Sequence, residues 1–266
     1  MYQAYGVLGY PLGHSLSPYL HNSAFELHNM QRCYFKWEIR QDDLEAFMRS
    51  VRILPLSGIS VTIPYKENII KFLDEITPEA QAMGAVNTVY HNNGILVGAN
   101  TDFIGFMEPI KHLPLHSALV CGAGGAARSV IYGLKKLGLE SICLCNRSTG
   151  KAAELAQEFK VDHILWEDRH KYEADLLVNT TPLGTSNQNQ DLSPWEIKNL
   201  PFKVVYDLVY NPLETVLLKQ AASNGAVAVS GLSMFVHQAA EQFRIWTNEK
   251  MNTEWAEKLL REKLGS

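Results

Sequence analysis

The chain has 266 residues, with 24 Lys and Arg against 28 Asp and Glu for a formal net charge of −4, and 46% of its side chains are apolar against 20% charged. That apolar content buries a core large enough to offset backbone ordering, which excludes a predominantly disordered chain, and the length suits one large domain or two modest ones. The slightly acidic balance, without any run of Lys or Arg, excludes a phosphate-tracking surface and with it a nucleic-acid partner.

The first residues, Met1-Tyr2-Gln3-Ala4-Tyr5-Gly6, lack the basic start and apolar run of a signal peptide. No stretch approaches the about 18 uninterrupted apolar residues of a membrane span, so a cytoplasmic protein with no membrane partner is expected. Ser17-Pro18 pairs a capping residue with a proline suited to the first helical turn, predicting a helix that turns Leu20, Ala24, Phe25 and Leu27 inward. Residues 58–63 read as a strand ending at Pro64, and 86–90 face 95–98 across His91-Asn-Asn-Gly94 as a hairpin. From about Ser117 the pattern changes. Short runs apolar on both faces, at 118–121, 142–145, 175–179, 203–207 and 226–230, alternate with helical periodicity, which predicts a parallel sheet covered by helices on both sides. Two amphipathic helices, 232–246 and 253–264, close the chain. The change of pattern places a domain boundary near residue 105.

The four cysteines, Cys33, Cys121, Cys143 and Cys145, fall in apolar runs without Cys-x-x-Cys spacing and read as free buried thiols. The histidines near the N-terminus, His14, His21 and His28, have no metal-site spacing and read as packing or surface residues, so no metal is expected.

Val120-Cys121-Gly122-Ala123-Gly124-Gly125-Ala126-Ala127 sits between a predicted strand and a helix. Glycines there permit positive φ and let backbone N–H groups approach a pyrophosphate at the helix N-terminus. Taken alone, the pattern fits a ligand-free tight turn equally well, and Ala127 stands where the usual fingerprint has its third glycine. The next strand ends at Asn146-Arg147-Ser148, where NAD-preferring domains place an acid for the ribose 2′-hydroxyl. An amide, a guanidinium and a hydroxyl suit a 2′-phosphate instead, with Lys151 a possible second charge, and this favours NADP.

Polar residues recur at the predicted strand ends: Ser15, Ser17, Thr62, Lys66, Asn87 and Asp102. Each alone has a plain structural explanation as a cap, a turn partner or a surface charge. In this order they resemble the shikimate dehydrogenase family of NADP-dependent oxidoreductases of aromatic amino-acid biosynthesis. The resemblance runs through Ser15-Leu-Ser-Pro18, Val61-Thr-Ile-Pro-Tyr-Lys66, Gly84-Ala-Val-Asn-Thr88, Asn100-Thr-Asp102, the glycine turn, Asn146-Arg-Ser148, Asn179-Thr-Thr-Pro-Leu-Gly184, Asp207-Leu-Val-Tyr-Asn-Pro212 and Gly231-Leu-Ser-Met-Phe-Val-His-Gln238.

The resemblance implies an α/β chain of two domains. Residues 1–105 would form an α/β substrate domain completed by the C-terminal helices 232–266, and 106–231 a Rossmann-type, doubly wound NADP domain. Lys66 and Asp102 would be the catalytic pair in the reversible NADPH-dependent reduction of 3-dehydroshikimate to shikimate. Ser15 and Ser17 would bind the substrate carboxylate, Thr62, Asn87 and Gln238 its hydroxyls, and Tyr210 would support it. Gly122, Ala123, Gly124, Gly125 and Ala126 would cradle the dinucleotide. Asn146, Arg147, Ser148 and Lys151 would hold the 2′-phosphate, with Thr180, Thr181, Pro182, Leu208, Gly231 and Met234 along the rest of the cofactor. Ser60 departs from the family, which usually carries Asn there for hydroxyl recognition. It is expected to touch the substrate through a shorter side chain. A paralogue acting on quinate or an aminated shikimate, and a non-catalytic dinucleotide-binding protein, are the competing readings. A monomer or homodimer is expected.

Overall fold

The computed structural model describes residues 3–13, 15–186 and 189–265. His14 lies outside them. The chain divides into two compact units, one of Met1–Thr101 with Gln238–Glu262, the other of Asp102–His237 with Lys263–Ser266.

The first unit contains β1 (Gln3–Gly9), α1 (Ser17–Leu27), β2 (Arg32–Glu38), α2 (Leu44–Val51), β3 (Leu56–Val61), β4 (Glu75–Ile76), α3 (Pro78–Met83), β5 (Thr88–Asn92) and β6 (Ile95–Ala99). Its sheet is mixed, in the order β2-β1-β3-β5-β6-β4. β1 pairs in parallel with β2 and β3, while β5 runs antiparallel to β3 and β6. The hairpin turns on Asn93 and Gly94, both at positive φ (50° and 87°), as a two-residue turn that matches strand twist requires. One core of this unit gathers Leu8, Leu44, Met48, Val51, Ile59 and Val61 with Tyr65, Ile69 and Val89.

Two expectations for α1 change. Leu16 is already helical and precedes the helix, so Ser17 is its first residue rather than its cap and makes no capping bond. The buried stripe is Ser17, Leu20, His21, Ala24 and Phe25, whereas Leu27, at the last helical position, is 54% exposed. His21 takes the inward place, stacked on Tyr34 at 4.6 Å.

The second unit opens with α4 (Asp102–Met107) and continues through β7 (Ser117–Cys121), α5 (Gly125–Lys136), β8 (Ser141–Cys145), α6 (Thr149–Phe159), β9 (Asp162–Ile164), β10 (Leu176–Asn179), β11 (Val204–Asp207), α7 (Val216–Ser223) and β12 (Val227–Ser230). Its six strands are all parallel, in the order β12-β11-β10-β7-β8-β9. Counted from β7 as the first, this is the 3-2-1-4-5-6 order of a dinucleotide-binding sheet, and its order reverses between β7 and β10. The strands bury both faces, with Leu119, Cys121, Cys143 and Cys145 on one side and Ala118, Val120, Ile142 and Leu144 on the other. All four cysteines are free thiols.

Two helices, α8 (Gly231–Thr247) and α9 (Thr253–Gly265), follow. The division between units falls at Thr101 rather than near 105, because α4 begins at Asp102 and packs on α5. It also falls inside α8, whose first turns belong to the second unit and whose later turns belong to the first. No described helix is long and apolar enough to cross a membrane.

Candidate active site

In the first unit, strand ends and the connections that follow them supply the polar side chains. Thr62 follows β3 directly, its N–H donating to the Leu8 carbonyl (2.9 Å), so its position is tied to the neighbouring strand β1. Lys66 is half-buried one short turn later, and its carbonyl accepts from the Val86 N–H at 2.8 Å. Asn87 stands just before β5. Its side-chain oxygen accepts from the Thr101 N–H and the Thr88 hydroxyl, both at 2.7 Å. Its amide nitrogen donates to Thr101 Oγ1 at 3.0 Å and lies 3.5 Å from Gln238 Oε1. Thr101 Oγ1 in turn donates to the Gln238 carbonyl at 3.0 Å, so α8 and the end of β6 together fix the Asn87–Gln238 pair. Ser15 and Ser17 stand side by side with hydroxyls 3.4 Å apart.

Ser60 sits within a buried hydrogen-bond chain. It is 6% exposed, accepts from the Tyr34 hydroxyl at 2.6 Å, and donates its only proton to Gln242 Oε1 at 2.7 Å. Burial raises the Tyr34 phenol far above its ordinary value, so it remains a neutral donor.

In the second unit the glycine turn lies at the carboxyl edge of β7, beside the strand-order reversal. Gly122 has φ +117°, and a Cβ there would lie 2.2 Å from Thr180 Oγ1, so both conformation and space require glycine. The turn is held from both sides. The Gly122 N–H donates to the Cys145 carbonyl, and Thr180 donates through N–H and Oγ1 to the Cys121 carbonyl, each at 2.8 Å. α5 begins without a side-chain cap, leaving its first N–H groups to an external acceptor, and space beside Gly124 is open. Arg147, Ser148 and Lys151 are exposed at the start of α6, where Ser148 makes no capping bond. Asn146 is half-buried and donates to the Ser148 carbonyl at 3.1 Å. These open N–H groups beside a guanidinium fit a phosphorylated dinucleotide.

Asn179 and Asp207 organise the next edge, a role their motifs did not disclose. Asn179 donates to Asp207 Oδ1 (2.9 Å) and the Leu183 carbonyl (3.0 Å), and accepts from the N–H and hydroxyl of Thr181. Asp207 also accepts from the Val209 N–H and the Thr215 hydroxyl. Burial pushes its carboxyl up to about 6 despite these three donors. Thr181, Pro182 and Leu208 are thereby fixed beside the sheet. Gly231 approaches so closely that a Cβ would meet the Leu208 carbonyl oxygen at 2.2 Å. Met234 is 8% exposed and packs in the apolar core with Tyr206 and Phe106. Tyr210 packs on Phe235 with ring centroids 4.9 Å apart. Asp102 is buried at the start of α4.

The family model for the shikimate dehydrogenase substrate binding domain matches residues 7–89, and that for the shikimate 5'-dehydrogenase C-terminal domain matches residues 231–261. A protein of Maridesulfovibrio salexigens named shikimate dehydrogenase (NADP(+)) is 44% identical over 98% of this chain and 97% of its own length. The chain belongs to the shikimate dehydrogenase family. A second family member, from Oleidesulfovibrio alaskensis, is also 44% identical, over 99% of this chain and 96% of its own. The crystal structure of the Thermus thermophilus shikimate 5-dehydrogenase in complex with NADP(H) and shikimate superposes with a TM-score of 0.89 at 36% identity, covering 98% of this chain and 99% of that one. The shikimate dehydrogenase fold therefore accounts for both units.

Proposed function

We infer that the chain catalyses the reversible NADPH-dependent reduction of 3-dehydroshikimate to shikimate, an oxidoreductase step of aromatic amino-acid biosynthesis. Its similarity to shikimate dehydrogenases over nearly its whole length, with Lys66 and Asp102 both retained in their motifs, carries the reading. A pure binding protein has no use for a proton donor.

When bound, NADPH would supply the hydride for the ketone carbon. Lys66 donates a hydrogen bond and then a proton to the ketone oxygen as negative charge develops there, and takes the proton back in the oxidative direction. Asp102 is the second member of this acid–base pair. Ser15 and Ser17 offer hydroxyl donors to the substrate carboxylate. Thr62, Asn87 and Gln238 grip the ring hydroxyls, with the Asn87 oxygen held in place by Thr88 and Thr101. Tyr210 supports the substrate. The backbone of Gly122, Ala123, Gly124, Gly125 and Ala126 holds the pyrophosphate, and Asn146, Arg147, Ser148 and Lys151 the 2′-phosphate. Thr180, Thr181, Pro182, Leu208, Gly231 and Met234 border the remainder of the cofactor. The free thiols of the chain, Cys121, Cys143 and Cys145 buried and Cys33 half-buried rather than buried as expected, suit the cytoplasm, and the active form is a monomer or a homodimer.

Replacing Lys66 tests the mechanism. Lys66→Ala is expected to lose at least about two orders of magnitude in turnover, the usual worth of general acid–base help, with NADP affinity by fluorescence titration unchanged. Near wild-type turnover would remove Lys66 from the chemistry.

A further inference from the structure

We propose that Gln242 is a positioning residue for substrate recognition, holding the Asn87 amide in a single orientation through a buried one-way chain of hydrogen bonds that includes Ser60 and Thr88. The proposal rests on the reading of Asn87 as a hydroxyl-binding residue.

Both ends of the chain have fixed polarity. At one end, the Gln242 amide lies 3.0 Å from the Asn87 backbone carbonyl, which can only accept, so Nε2 faces it and Oε1 faces Ser60. Ser60 must then donate to Gln242, and Tyr34 to Ser60. Nε2 also donates to Thr88 Oγ1 at 3.0 Å, which directs the Thr88 proton to Asn87 Oδ1. At the other end, the Thr101 N–H, which can only donate, meets the same Oδ1. Every proton from Tyr34 to Asn87 therefore points the same way, and the Asn87 nitrogen is left on the side of Gln238.

Gln242, Ser60, Thr88 and Asn87 are all buried, so a flipped amide would set oxygen against oxygen without water to relieve it. The chain also extends backwards, because the Tyr34 hydroxyl has Ser17 as a further partner and Ser15 stands beside Ser17. One hydrogen-bond path thus links the serine pair to Asn87, and Ser60 acts within it rather than on substrate. Gln242 follows Gln238 by one helical turn, so a single face of α8 carries both a substrate residue and the residue that orients its neighbour.

The test compares steady-state constants of Gln242→Leu, Thr88→Val, Thr88→Ser and Asn87→Ala with those of the wild-type enzyme. Gln242→Leu and Thr88→Val are expected to raise the shikimate KM about tenfold, the upper range for one lost hydrogen bond, and to leave the NADP KM within twofold. Thr88→Ser keeps the hydroxyl and is expected to restore most of what Thr88→Val loses. Should Gln242→Leu fail to fold, the Thr88 pair decides. An elevated shikimate KM in Asn87→Ala, with none in Gln242→Leu or Thr88→Val, would overturn the positioning role and spare the assignment of Asn87. An unchanged KM in Asn87→Ala would overturn both. Parallel increases in the shikimate and NADP constants would reduce Gln242 to a merely structural residue.

Discussion

His21 provides a stability switch whose size follows from its surroundings. The ring is buried between Tyr34, 4.6 Å away and nearly parallel, and Trp246 at 5.3 Å, and neither nitrogen has a hydrogen-bond partner although the Gln242 amide lies beside it. Burial lowers its pKa from 6.5 to about 3. The unfolded chain therefore takes up a proton below about pH 6.5 that the folded protein refuses until about pH 3. The contribution is fully present above the upper value and lost as pH falls towards the lower one. The full span is worth about 5 kcal/mol, of which about 3 kcal/mol falls between roughly pH 7 and 4.5. His21→Phe keeps a flat ring against Tyr34 but cannot bind the proton. Urea unfolding followed by tryptophan fluorescence, which includes Trp246 beside the site, gives stability at both pH values for each protein. The variant is expected to lose about 3 kcal/mol less than wild type on acidification. Carboxylate effects common to both proteins cancel in this difference. Equal pH slopes would refute the reasoning, whatever the absolute stability of the variant.

Asp207 carries the opposite slope in the second unit: its folded pKa, about 6, lies above the ordinary 3.8, so its contribution is greatest in acid and is lost as pH rises through about 6. Asp207→Asn is expected to abolish about 2 kcal/mol of stability loss between roughly pH 4.5 and 7, measured by urea unfolding, and an unchanged slope would contradict the assignment. Arg147→Ala is expected to raise the NADP KM at least about tenfold and the NAD KM little, as loss of a charge-assisted phosphate contact requires. Equal effects on the two cofactors would place Arg147 away from the 2′-phosphate.

The second unit was readable in the sequence because its strands are short apolar runs buried on both faces, bounded by helices with clear periodicity. β4 has two residues and β9 three, too few for any period to register. β2 exposes Phe35 at an edge of its sheet, so its polar and aromatic residues do not alternate as a half-buried strand would. In α1 the spacing of Leu20, Ala24 and Leu27 drew the inward face one step too far round, because burial of His21 was not legible without Tyr34 opposite it.

Motif order brought the candidate site into view, but not the residues that hold it. The motif around Ser60 gives no sign that its hydroxyl also joins Tyr34 and Gln242, which come from distant parts of the chain. A glutamine four residues after Gln238, on a helix whose neighbouring Ala239 and Phe243 are buried, was the one local sign of Gln242. Asp207 and Asn179 stood in their motifs without an evident task, since their bond joins adjacent strands that are far apart in sequence.

The most direct measurement is NADPH formation, followed at its absorbance band, when the purified protein is given shikimate or quinate with NADP or NAD. The pairing of shikimate with NADP is expected to give the highest kcat/KM. Higher activity on quinate, a preference for NAD, or no absorbance change with any of the four pairings would contradict the account.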